Sequence, residues 1–251
     1  MPRDSLSEWT ELLDQFGELG AEIHGHTKDM QGESDDPAIV GAILFNRAWG
    51  HFRSFSLLWR NRLSLDADVV LRNCCEAAIC LANLEKRPAD FIADLRSDAA
   101  HTLERQIAMW KTIKGTDDLV RNAERHLTEI FGAGQPNSKK FNRLDLSSLA
   151  KQADADILYR FYQSTSGMTA HITGLSLLFH VAEDGSAEAL ALHNQRREKQ
   201  RAQSVMSMCI VGGVAMHASC RLLSLSEIGE AERLALIGQA IGRRDIEEDP
   251  D

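Results

Sequence analysis

Two segments of this chain keep a helical period yet are apolar on almost every side. Each must therefore be surrounded by other helices, which limits the fold to a bundle. One is Asp68 to Leu84, "DVVLRNCCEAAICLANL", interrupted by Arg72 and Glu76; the other is Asp156 to Val181, interrupted by Arg160, Ser164 and His171. At 100° per residue, Arg72, Glu76 and Asn83 fall within about 40° of one another, as do Arg160, Ser164 and His171 on the second segment. On that second helix Thr165, Thr169, Thr173, Ser176 and His180 define the opposite, solvated face. Ionisable groups are costly to bury unless paired. The pattern predicts a shared polar channel in a dehydrated interior, with Glu76 as the partner of His171.

The helical period recurs along almost the whole chain and strand alternation is nearly absent, so the expected class is all-α: a single-domain bundle of about eight helices. The first helix is expected from Ser5 to about His24 with Glu8 completing a capping box, and residues 1–35 form an N-terminal helix and linker. A second starts at Asp36 as cap with Pro37 in its first turn, and a third spans about Asp66 to Glu85. A fourth runs from Pro88 to Lys114 and stops at Gly115; a fifth runs from Asp117 to Phe131. Residues 132–142, "GAGQPNSKKFN", read as the clearest loop and the most mobile element. A short helix from Leu146 to Gln152 precedes the sixth, which ends near Val181 and is open to a kink at Ser166-Gly167. The seventh spans about Ala187 to Leu225, with "VGGVA" permitting close backbone approach. The eighth follows Ser226. The third, sixth and seventh are expected at the centre of a main bundle over 36–245, and 246–251 form a frayed acidic tail.

A formal charge of −9 argues against broad attraction to nucleic acid but leaves room for a local basic pocket. Basic clusters stand at "RNAERH", "KKFNR" and "QRREKQR". Five cysteines, an odd number in apolar helical segments without ligand or redox spacing, read as reduced core residues of a cytoplasmic protein. Residues 161–182 and 202–220 have the length of a membrane span, but their Ser, Thr, Gln and His content makes lipid exposure costly. No membrane association is expected.

The pairing of "LRNCCEAAICLANL" with "YRFYQSTSGMTAHITGLSLL" resembles the bacterial family catalogued as domain of unknown function 5677, over roughly Leu65 to Leu178 and the helix that follows. The resemblance carries that family's pattern onto Arg72, Glu76, Tyr159, Arg160 and His171, with Ser164 or Ser166 at the seryl position. It implies a bundle with a polar centre and no particular reaction. A second resemblance is to helical ribonucleases of the HEPN superfamily, in which an Arg is followed by a polar residue and then a His, most often with four to six residues between Arg and His. "RNAERH" matches it at Arg121, Asn122 and His126, and "RSDAAH" at Arg96 to His101 matches less well. It implies His as acid or base on a ribose 2′-hydroxyl and Arg stabilising charge on phosphate, without metal.

Metal readings are weaker. The "EIHGH" spacing sets His24 and His26 on different sides of a helix, and a convergence of His51, Glu76 and His171 would lack the repeated Glu-x-x-His of di-iron bundles. No cofactor is expected, since the Gly-rich loop lacks a phosphate-cradle ending and the cysteines look inert. The leading functional expectation is a helical effector or toxin-like module of a phage-defence system that cleaves RNA in a local cleft. Its catalytic groups are Arg72, Glu76, His171, Ser164 and Arg160, or alternatively Arg121, Asn122 and His126 at the seam of a homodimer. The competing expectation is a noncatalytic interaction protein with a structural Arg-Glu-His network, docking a protein partner through Arg196, Arg197 and Arg201.

Overall fold

The computed structural model describes residues 3–131, 142–167 and 186–248. The described residues are all-α, with nine helices among them: α1 Arg3–Thr27, α2 Pro37–Arg60, α3 Ser64–Lys86, α4 Pro88–Trp110, α5 Asp117–Phe131, α6 Leu146–Gln152, α7 Asp156–Thr165, α8 Ala187–Leu222 and α9 Ile228–Glu248. They divide into two compact units, Met1–Lys86 with Leu146–Asp251, and Arg87–Asp145.

Local chemistry sets several boundaries. Asp36 caps α2 by accepting a hydrogen bond from the Ala38 amide at 2.8 Å, and Pro37, which has no amide hydrogen to lose, opens the first turn. Helix α1 is longer at both ends than the capping-box reading predicts, running from Arg3 to Thr27. Helix α4 stops four residues short of the predicted Lys114. The Thr116 hydroxyl takes the Trp110 carbonyl at 2.6 Å, and Gly115 follows in the left-handed region at φ 82°. At Ser166 and Gly167 the helical pattern widens into a π turn at the expected kink, and the rest of the predicted sixth helix, with the loop at 132–141, lies outside the described residues.

In the larger unit α3 and the second half of α8 form the centre. Leu71, Ile79, Leu81 and Leu84 of α3 are buried, each contributing about 1.5–3 kcal/mol. Helix α2 packs on both central helices, α1 and α9 cover α8, and α6 and α7 lie along α3. Close approach depends on the glycines of "VGGVA". A Cβ at Gly212 would lie 2.7 Å from the Phe52 ring, and one at Gly213 would lie 3.0 Å from the Phe16 ring. Helix α8 is long and apolar enough to cross a membrane, but 67% of its apolar window is buried inside the protein, as in a core helix. In the smaller unit α4 and α5 pair, with Ile107, Ala123 and Leu127 buried and Lys111 bound to Glu124 at 2.9 Å.

Gly212→Val should overpack the α2–α8 contact and cost about 1–3 kcal/mol, read as a lowered urea midpoint at unchanged slope. An unaltered midpoint would contradict the close approach.

Candidate functional site

Helix α3 carries Asp68, Arg72, Glu76 and Asn83 on one stripe. Arg72 donates from Nε to Ser166 Oγ at 2.7 Å and from Nη2 to Tyr162 Oη at 2.6 Å. Its Nη2 also lies 3.5 Å from Glu76 Oε1 one turn on, and its guanidinium carbon sits 4.5 Å from the Tyr162 ring centre. Tyr159 stacks on Tyr162 with centroids 5.9 Å apart. The Ser166 hydroxyl in turn donates to the Tyr162 carbonyl at 2.7 Å, so the acceptor for Arg72 is itself held. Asn83, fully buried, donates to the carbonyls of Ile79 and Leu149 and ties α3 to α6.

The expected Arg72–Glu76 neighbourhood is therefore present, but it is not fully dehydrated: the Arg72 side chain is 23% exposed and Glu76 36%. Arg160 and Ser164 are exposed, which corrects the expected register of α7. Leu158 and Thr165 form the buried side of that helix, and the Ser164 hydroxyl donates to the carbonyl of Phe161 in its own helix. Of the two seryl candidates, Ser166 is the one that meets Arg72. His171 lies outside the described residues.

His51, on α2, feels the charge of Glu76. Burial, followed by the charge of Arg47, lowers its pKa, against the raising effect of Glu76. Its Nε2 is buried without a hydrogen-bond partner among the described residues.

One turn before Arg72, Asp68 is 2% exposed. Its carboxylate accepts from the Ser204 hydroxyl at 2.5 Å and from the Gln200 amide at 2.8 Å, both on α8. Burial raises its pKa from 3.8 to about 6 against the lowering effect of those two hydrogen bonds. Asp68, Leu71, Arg196 and Lys199 are among the residues that line a cavity of about 260 Å³.

The alternative set on α5 lies on a solvated face. Arg121 pairs with Asp118, Asn122 accepts from Arg125, and His126 is 3.9 Å from Glu129. On α8, Arg196 and Arg197 are exposed, whereas Arg201 turns inward over the Trp59 ring at 5.1 Å and pairs with Glu198 at 3.0 Å. His24 and His26 engage Asn46 and Glu227 respectively and so do not converge.

A family model described as "Family of unknown function (DUF5677)" matches residues 38–189, more than half of the chain. The chain belongs to this family. No curated protein matches it, and no solved structure does. The DUF5677 match runs from α2 through α7 into the first turn of α8, so it takes in His51, Asp68, Arg72, Glu76, Tyr162 and Ser166 but not Gln200 or Ser204.

Sequence reasoning passed over Asp68, treating it as the edge of an apolar run, and weighed His51 only as a metal ligand. The available signal was the four-residue spacing of Asp68, Arg72 and Glu76, which repeats one helical stripe. Tyr162 stood inside the motif but was assigned no role.

The raised pKa of Asp68 has a definite sign. Between about pH 4 and 6 the folded state holds a proton that the unfolded state has released, so stability falls as pH rises through that window. A shift of that size corresponds to about 3 kcal/mol. Urea unfolding of wild type and Asp68→Asn across pH 4 to 7 should show the variant gaining on wild type by up to about that amount as pH rises; parallel curves would refute the assignment.

Proposed function

We propose that the α3 stripe is a metal-independent RNA-cleaving centre, in keeping with an effector or toxin-like module of bacterial defence that acts in the cytoplasm. The observation that carries this reading is the partly exposed Arg72 guanidinium, fixed by Tyr162 and Ser166, in the same stripe as Glu76, whose charge also acts on His51 of α2. His51, whose lowered pKa keeps it neutral near pH 7, takes the proton of a ribose 2′-hydroxyl through Nδ1, the ring nitrogen other than the buried Nε2, and Glu76 steadies the imidazolium that results. The 2′-oxygen then attacks the adjacent phosphorus. Arg72 stabilises the charge building on the phosphate oxygens. The bond to the 5′-oxygen breaks, Tyr162 supplies that oxygen with a proton, and the products are a 2′,3′-cyclic phosphate and a 5′-hydroxyl. Reprotonation of Tyr162 from the imidazolium through solvent closes the cycle.

The Arg121, Asn122 and His126 set remains an alternative centre that would act only where a second copy completes it. Its members already hold exposed partners on their own helix. A noncatalytic reading is favoured by one observation, the engagement of Arg72 by a hydroxyl, a phenol and a carboxylate at once. In that case the stripe fixes helix register, and the exposed Arg196 and Arg197 serve a protein partner.

Single-turnover cleavage of a 5′-labelled RNA separates these readings. Arg72→Ala and His51→Ala should each slow cleavage at least 100-fold with secondary structure retained, while His126→Ala leaves the rate unchanged. Loss with His126→Ala alone would move the centre to α5. Unchanged rates in the first two variants, with a lowered melting temperature for Arg72→Ala, would leave the noncatalytic reading.

A further inference from the structure

Helices α1 and α2 pack side by side, and their outer faces carry opposite charge. On α1 the exposed residues include Glu11, Asp14, Glu18 and Glu22, which fall within about 80° of one another, and no Lys or Arg occurs between Asp4 and Lys28. On α2 the exposed residues include Arg47, Arg53 and Arg60, and that helix contains no Asp or Glu. Elsewhere on the surface Arg221, Arg233 and Arg244 each rest on a carboxylate. Here only Asp14 and Arg60 meet, across the seam between the two helices. Glu11, Glu18, Glu22, Arg47 and Arg53 have no hydrogen bond or ion pair among the described residues. Ile43 and Leu57 stand on the same face of α2, 63% and 65% exposed, with Gly50 midway between them.

An RNA or an anionic lipid surface seated on α2 would meet the carboxylates of α1 beside it, and a basic partner seated on α1 would meet the arginines of α2. A partner that fits both must present both charges at the same spacing, and a second copy of this chain does so. We propose that this face is a self-association surface, on which two copies pair about a two-fold axis with α1 of each laid antiparallel on α2 of the other. Contacts within the chain give the levels: Asp14 meets Arg60, Gly20 lies against the Trp49 ring and His24 meets Asn46, so the two helices run antiparallel. An axis along their seam leaves each level unchanged while it carries α1 over the α2 of the other copy. Glu11, Glu18 and Glu22 then stand at about the heights of Arg60, Arg53 and Arg47, within about one helical turn, and each pair occurs twice by symmetry. Gly17 and Gly25 of the facing α1, where an added Cβ would meet nothing within 4 Å, leave room for Leu57 and Ile43. Helices of 25 and 24 residues are about 36 Å long and together about 20 Å wide, so the face covers about 700 Å² on each copy, close to the roughly 800 Å² per partner of a stable interface. Exposed ion pairs contribute little each, so the apolar contacts carry affinity while the charges set register and exclude other partners. The inference goes beyond the RNA reading and stands without it.

Sedimentation velocity of the full chain, from about 1 to about 100 μM, tests the surface directly. Wild type should pass from a 27.9 kDa monomer to a dimer over that range, with a Kd raised at least tenfold when salt is increased from about 50 to about 500 mM. Arg53→Glu alone and Glu18→Arg alone should each weaken the dimer at least tenfold, because each sets like charges opposite one another twice. The double variant should restore it. So should an equimolar mixture of the two single variants, in which every opposite-charge contact is rebuilt between chains; pairing within one chain could not be rescued by mixing. Circular dichroism confirms that each variant is folded. Wild type that stays monomeric at about 100 μM, a dimer that both single variants leave intact, as a seam on α5 would, or a mixture of the two that stays monomeric would each overturn the proposal.

Discussion

A helix covered on nearly every side must find a separate partner for each polar group it carries inward, and α3 meets that demand by reaching three different helices. Asp68 turns to α8, Arg72 to α7, and Asn83 to α6. A buried polar group left without its partner costs about 1–3 kcal/mol, more when charged, so the three contacts bind α3 at fixed rotation and height. Arg72 holds Tyr162 and Ser166, and the Asp68 contacts to Gln200 and Ser204 lie beside the cavity between α3, α7 and α8.

Helix α8 makes this arrangement compact. Its central glycines let the Phe16 and Phe52 rings approach the backbone, and its buried face includes Ala215, Ala218 and Ser219. Small residues on the covered side leave the large ones to α1 and α2, where Trp9, Leu12, Phe16 and Phe55 are buried. The first turns of the same helix are solvated and carry the cations near the Asp68 cavity. One helix thus supplies both close backbone packing in the larger unit and cations that line its cavity.

Much of the framework was legible in the sequence because it rests on local chemistry. Asp36 and Pro37 announce the start of α2, and helical periodicity alone places α5 and α6. The α3 stripe was legible for the same reason. What escaped is the information held between helices. A wheel gives the angular spread of Arg160, Ser164 and Thr165 but not which side faces the core, and α7 buries Thr165 rather than Arg160. Asp68 was passed over since burial, not spacing, gives it its character. The partners of Arg201 were invisible because stacking on Trp59 joins residues 142 positions apart. The place of His171, central to the sequence reading, falls outside the described residues.

The cysteines give the central helices a further property. Cys74, Cys75, Cys209 and Cys220 are buried and unpaired, and Cys74 and Cys209 direct their sulfur hydrogens to the carbonyls of Ala48 and Trp9. Burial pushes the Cys74 thiol up to about 12 and Cys220 to about 11, so the nucleophilic thiolate is scarce at neutral pH. Electrophiles and peroxides reach these sulfurs only when the bundle opens. Packing alone thereby shields these four thiols, and the rate at which they are captured becomes a clock for the breathing of the larger unit.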